Sequence, residues 1–175
     1  MFKFVRDKQA GGEAKGSGTP DSITLDTPVR FDGRLVVRLV TEHSELNRRF
    51  AALIRRLDGD PNIVEREVRD CAALLHRLRR TEALWLYPII ARGVARDPVA
   101  RRQFVQLRLS MLGLARRALR QFDDLAVALR RGTELEAAAD LAARALGEYR
   151  MRNEAEIYPL YDFIGRQRHV GQQIA

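Results

Sequence analysis

Residues 82–88 read Glu-Ala-Leu-Trp-Leu-Tyr-Pro, and 71 positions later residues 153–159 read Asn-Glu-Ala-Glu-Ile-Tyr-Pro. Each stretch lies inside a long apolar stripe of helical spacing. Each Tyr-Pro therefore predicts a proline within a helix, where the missing N–H removes a backbone hydrogen bond and bends the rod. A motif returning at a fixed interval inside helical patterns is most economically a repeated helical hairpin. Two hairpins predict four rods.

The punctuation outside the two stretches agrees. Asp60-Pro61 and Asp97-Pro98 each place a capping carboxylate before a proline at the first helical position, and Thr133-Glu134-Leu135-Glu136 has the spacing of a capping box. Gly59, Gly93, Gly132 and Gly165 stand where helices would end in a left-handed residue. These signals predict helices over 34–57, 61–92, 98–130 and 134–164. Loops this short make consecutive helices antiparallel, so the expected fold is all-α, an up-down-up-down four-helix bundle over 34–165. Residues 1–22, rich in Gly, Lys and Ser, read as a flexible tail, 23–33 as an arm and 166–175 as a C-terminal tail. Met1, Phe2 and Phe4 give the tail an alternative as a docking peptide.

The apolar stripes recur every three or four residues. They run Leu39, His43, Leu46, Phe50, Leu53, Leu57; then Val68, Cys71, Leu75, Leu78, Glu82, Trp85, Ile89; then Phe104, Leu107, Met111, Leu114, Ala118, Phe122, Leu125; and finally Ala142, Leu146, Tyr149, Asn153, Ile157, Leu160, Ile164. Trp85, Phe104 and Phe122 are expected in the core, and Cys71 reads as an inert small hydrophobe. His43, Glu82, Tyr149 and Asn153 interrupt the stripes. Reflecting positions across the turns brings His43, the 75–82 stretch, Met111 and Asn153 to within about two helical turns of one depth. Buried polar groups without partners cost roughly 2–7 kcal/mol, so these side chains should meet as a polar layer of His43, Glu82, Met111, Tyr149 and Asn153. His76 lies to one side of its stripe and His169 falls in the C-terminal tail.

Composition bounds the function. At 175 residues with 46% hydrophobic and 31% charged residues, the chain has the make-up of one globular domain rather than of a disordered or membrane protein. The lone cysteine allows no internal disulfide and the opening MFKFVRDK lacks a secretory apolar core, which together fit the cytoplasm. The net charge of +8 comes almost wholly from arginine pairs spread along every later segment, the pattern of solvated helix faces. Nucleic acid and membrane are therefore disfavoured as partners and another protein is favoured. No nucleophile-and-base set, phosphate-binding glycine loop or zinc-finger spacing is present.

The first-helix Thr41-Glu42-His43-Ser44-Glu45-Leu46, the Glu82 followed by Leu86-Tyr87-Pro88, and the Glu-bearing segment ending Ile157-Tyr158-Pro159-Leu160-Tyr161 resemble the hemerythrin-like, or HHE cation-binding, domain. The resemblance covers about residues 34–164. It implies a four-helix bundle whose histidines and carboxylates hold a non-haem di-iron centre for carrying or sensing oxygen. His43 matches the family's first-helix histidine and Glu82 its second-helix glutamate. Leu78 stands where the motif has a histidine, Met111 replaces the third-helix histidine, and Tyr149 and Asn153 replace the histidine and glutamate of the fourth. Glu154 matches the motif's other glutamate and is expected to point away from the axis. The expectation is a non-enzymatic, bacterial-type binding or regulatory module with a decayed di-iron site and no cofactor. The alternatives are a metal, oxygen or redox sensor with one iron or zinc ion on His43, Glu82 and Tyr149, a haem on His43 and Met111, or a polymerase-binding bundle like the regulators of sigma D.

Overall fold

The computed structural model describes residues 30–172, with side chains described to residue 167. The segment read as a tail at 1–22, and most of the arm, lie outside these residues. The described chain is all-α. Six α-helices, α1 (Leu35–Ile54), α2 (Pro61–Thr81), α3 (Tyr87–Val94), α4 (Pro98–Arg131), α5 (Leu135–Arg152) and α6 (Tyr158–Gln172), form four rods. Two π-helical turns, Glu82–Leu86 and Asn153–Ile157, join α2 to α3 and α5 to α6 without a break.

The start signals act where a carboxylate is free to cap. Asp60 accepts from the Asn62 N–H at 2.9 Å, and Asp97 from the Val99 and Ala100 N–H groups at 2.8 and 3.0 Å. Gly132, at φ 66°, ends α4 in the left-handed region, and its neighbour Thr133 donates to the Ala128 carbonyl. That reversal uses up Thr133, so no capping box forms. Glu134, itself left-handed at φ 57°, becomes the residue before α5 and makes no side-chain cap.

The other three glycines do not end helices in left-handed geometry; Gly132 is the one glycine with positive φ among the described residues. Gly93 and Gly165 lie inside helices, each with a distant side chain packed against it. A Cβ at Gly93 would overlap the Ile164 side chain, and one at Gly165 would overlap the Phe31 ring. Their hydrogen is what the packing uses. The last rod continues through Gly165 to Gln172, so the expected boundary at 165 gives way to helix over 166–172, and the rest of the expected tail lies outside the described residues.

The stripes form one core. Leu39, Leu46, Leu75, Leu86, Ile90, Leu125 and Ile157 are each 0–1% exposed, and Phe50 meets Phe122 edge to face with ring centroids 5.2 Å apart. In two rods the stripe changes phase at the π turn. Trp85 is 52% exposed while Leu86 is fully buried, and Leu160 is half-buried while Tyr161 is fully buried. Pro88 and Pro159 cannot donate backward, so the preceding N–H groups, those of Tyr87 and Tyr158, bond instead to Glu82 and Asn153 five residues earlier. One extra residue per turn moves every later side chain round by one place. Trp85, expected in the core, is thereby turned to solvent. Leu57 is only half-buried because α1 ends at Ile54. No helix among the described residues is long and apolar enough to cross a membrane.

Candidate functional site: a buried carboxyl held by two phenols and an imidazole

Three of the four rods deliver one side chain or more to a common point. Glu82, the first residue of its π turn, is 1% exposed and lies against His43 of α1, Tyr149 of α5 and Tyr158 at the head of α6. Tyr149 donates its hydroxyl to Glu82 Oε2, Tyr158 donates to Oε1 at 3.1 Å, and His43 Nε2 lies 3.3 Å from the same Oε1. Both carboxyl oxygens are thus taken by protein donors. The His43 ring also packs against the rings of Tyr149 and Tyr158, with centroids 5.6 and 6.3 Å apart.

Some polar atoms in this layer have no hydrogen-bond partner. With His43 Nε2 turned to Glu82, Nδ1 is left alone, and both amide atoms of Asn153, fully buried, are likewise unpaired. Each such group costs about 1–3 kcal/mol relative to a satisfied one. Asn153 stands in the second hairpin where Glu82 stands in the first, and the two halves are therefore chemically unequal at their matching positions.

The setting keeps the phenols neutral. Burial pushes Tyr149 well above the usual tyrosine range, and the Glu82 charge and hydrogen bond push the same way, with the Asn153 amide opposing weakly. Tyr158 is raised first by burial and then by Glu82. Tyr87, half-buried, is raised by burial and by Glu82, with Arg108 and Arg79 acting against them. Burial pushes the Cys71 thiol up to about 11, which leaves it a poor nucleophile at neutral pH.

The structure brings together His43, Glu82 and Tyr149. Asn153 and Met111 are buried, at 0% and 1% exposed, but Met111 contributes no hydrogen bond to the layer. Leu78 is buried in the hydrophobic core. Glu154 points off the axis and pairs with Arg150 at 2.7 Å, and His76 is exposed. The His169 side chain lies outside the described ones. Tyr158 was hidden in the sequence by its register. On a regular helix it falls about 140° from Asn153, whereas the π turn swings it inward. Its ring has a second neighbour, because it also lines a groove of about 590 Å³ between α1 and α6 with Val36, Val40, Pro159 and Phe163.

The donor set does not fit a di-iron centre. Among the described residues no group of three or more His, Cys, Asp or Glu side chains is placed to hold a metal ion, and Leu78 and Met111 offer no ligand of the kind that the family resemblance requires. No protein-family model matches the chain, and no curated protein or solved structure matches it.

Proposed function

We propose that the chain is a non-enzymatic binding or regulatory module, an up-down-up-down antiparallel bundle of hemerythrin-like type in which a hydrogen-bonded cage stands where the family has its di-iron site. The observation that supports this reading is the engagement of Glu82: Oε1 faces Tyr158 and His43 and Oε2 faces Tyr149, so an incoming cation competes with protein groups at both oxygens. The cage then fixes the relative height of three rods, and contact with a protein partner falls to the outer helix faces. The test is a set of thermal melts of the parent, Glu82→Gln and His43→Ala, each with and without iron(II) or zinc. Melting temperatures independent of metal in all three proteins are expected. A rise of several degrees in the parent alone overturns the reading, following the logarithmic gain from a ligand that binds only the folded state.

A second reading is a mononuclear iron or zinc sensor on His43, Glu82 and Tyr149. Its support is the convergence of an imidazole, a carboxyl and a phenol together with the unpartnered His43 Nδ1 and Asn153 amide. The same melts separate the two.

A further inference from the structure

Between Pro98 and Phe122 the α4 sequence contains six arginines and no aspartate or glutamate. Five of them, Arg101, Arg102, Arg108, Arg116 and Arg120, are exposed, and none has a carboxylate within 4.0 Å among the described residues. Other arginines of the same helix are neutralised: Arg117 pairs with Glu148 at 3.0 Å, and Arg130 pairs with Glu65. Some arginines of the other helices are paired too, as are Arg48 and Arg49 on Glu45, Arg56 on Glu67 and Arg152 on Glu156. Along this stretch of α4 the unpaired arginines lie within one face of the helix, with no carboxylate of the same stretch among them.

That face has an order along its length. Arg101, Val105, Leu109, Leu112, Arg116 and Arg120 follow each other at three- or four-residue steps and so form one ridge. Val105 is 48% and Leu109 56% exposed. Arginine therefore stands at both ends of a ridge about 29 Å long at ~1.5 Å per residue, and bare aliphatic side chains stand in the middle. Arg108 flanks the middle on the side of Tyr87, whose phenol feels its charge.

We propose that this ridge docks an acidic helical segment of another protein, one with aliphatic residues at its centre and carboxylates toward both ends. The pattern is complementary in both chemistries. Carboxylates meet the guanidinium groups at each end, and the central aliphatic residues cover Val105 and Leu109. A nucleic acid fits less well, because its evenly spaced phosphates would lie over aliphatic side chains in the middle of the ridge. The inference rests on the reading of the chain as a protein-binding module and gives that partner its chemistry.

The probe is a labelled 21-residue helical peptide with leucines at its centre and glutamates toward both ends. Its comparators are the same peptide with glutamines for the leucines, a 20-base-pair DNA duplex, and phosphatidylserine vesicles. The full chain is compared with Arg101→Glu/Arg116→Glu/Arg120→Glu and with Val105→Ser/Leu109→Ser, all exposed positions whose variants keep the parent's helical circular dichroism and melting temperature. The expected result is micromolar binding of the leucine peptide, weakened about 10-fold or more by either variant and by the glutamine substitution, and weakened by salt. No binding at ~100 µM peptide overturns the proposal. So does binding that both variants leave unchanged, or tighter binding of duplex or vesicles that is insensitive to the Val105 and Leu109 changes. Each of these outcomes leaves the metal-independence of the core untouched, so this proposal and the broader reading fail separately.

Discussion

The Tyr149 hydroxyl donates to Oε2 of Glu82 across 67 positions of sequence, with both side chains 1% exposed. The bond ties the rod formed by α5 and α6 to the one formed by α2 and α3 at the level of the two π turns. Removing one partner exposes the asymmetry of a buried hydrogen bond: the lost attraction is modest, but the group left behind stays out of water with one partner fewer.

Tyr149→Phe keeps the ring and deletes the donor, so it is expected to cost about 1–3 kcal/mol, a fall of several degrees in melting temperature for a chain of this size. Glu82→Gln should cost a similar amount because an amide still meets His43. Glu82→Ala should cost more, since it strands the imidazole and both phenols and opens a cavity. Chemical denaturation of the three variants checks the order, and equal losses for Gln and Ala would contradict it.

The glycines divide into two kinds. Gly93→Ala and Gly165→Ala drive a methyl into Ile164 and Phe31 respectively, and each is expected to destabilise by about 1–3 kcal/mol. Gly113 and Gly147 sit in helices with nothing within 4 Å of an added Cβ. Their alanine variants should gain roughly 0.5–1 kcal/mol from the stiffer unfolded chain. Melting curves of the four proteins read out the sign directly.

All four tyrosines, Tyr87, Tyr149, Tyr158 and Tyr161, are raised above the ordinary value of 10.0 by burial, as the Cys71 thiol is raised from 9.0 to about 11. For an acid whose folded pKa lies above its unfolded one, the stabilisation is complete below the unfolded value and is lost as pH rises past it. Stability should therefore be insensitive to these groups below about pH 9 and fall steadily above it. Absorbance near 295 nm should show little tyrosinate until the chain unfolds, with all four phenols then appearing together. Gradual ionisation of Tyr149 or Tyr158 in the folded protein would contradict the described burial.

Trp85 is the chain's one tryptophan and is 52% exposed, so its fluorescence reports a single place. A solvent-like emission and ready quenching by iodide are expected, and Trp85→Ser should change stability by no more than about 0.5 kcal/mol. A blue-shifted, unquenched emission would place the indole in the core.

What could be read in the sequence was local chemistry with a fixed geometry. Asp60 and Asp97 announce their helices because a carboxylate before a proline has few other uses, and Gly132 supplies the left-handed turn. The meeting of His43 with Glu82 and Tyr149 follows from straight rods reflected across short turns. Trp85 and Leu160 leave their stripes, and Tyr158 turns inward, for one reason: a count of 3.6 residues per turn drifts by a whole residue after each π turn. Gly93 and Gly165 read as helix ends in the sequence because their neighbours Ile164 and Phe31 are distant along the chain. Thr133 had the right spacing for a cap, but the reversal at Gly132 had already committed its backbone.

The Tyr158 ring lines the groove between α1 and α6 on one side and hands its hydroxyl to Glu82 on the other. The carboxyl at the centre of the bundle is thus insulated from bulk solvent on that side by the width of one aromatic side chain. Truncating that ring would turn the groove into a shaft reaching the core. Solutes small enough to enter it could then report on Glu82, which the intact protein keeps behind a door of its own.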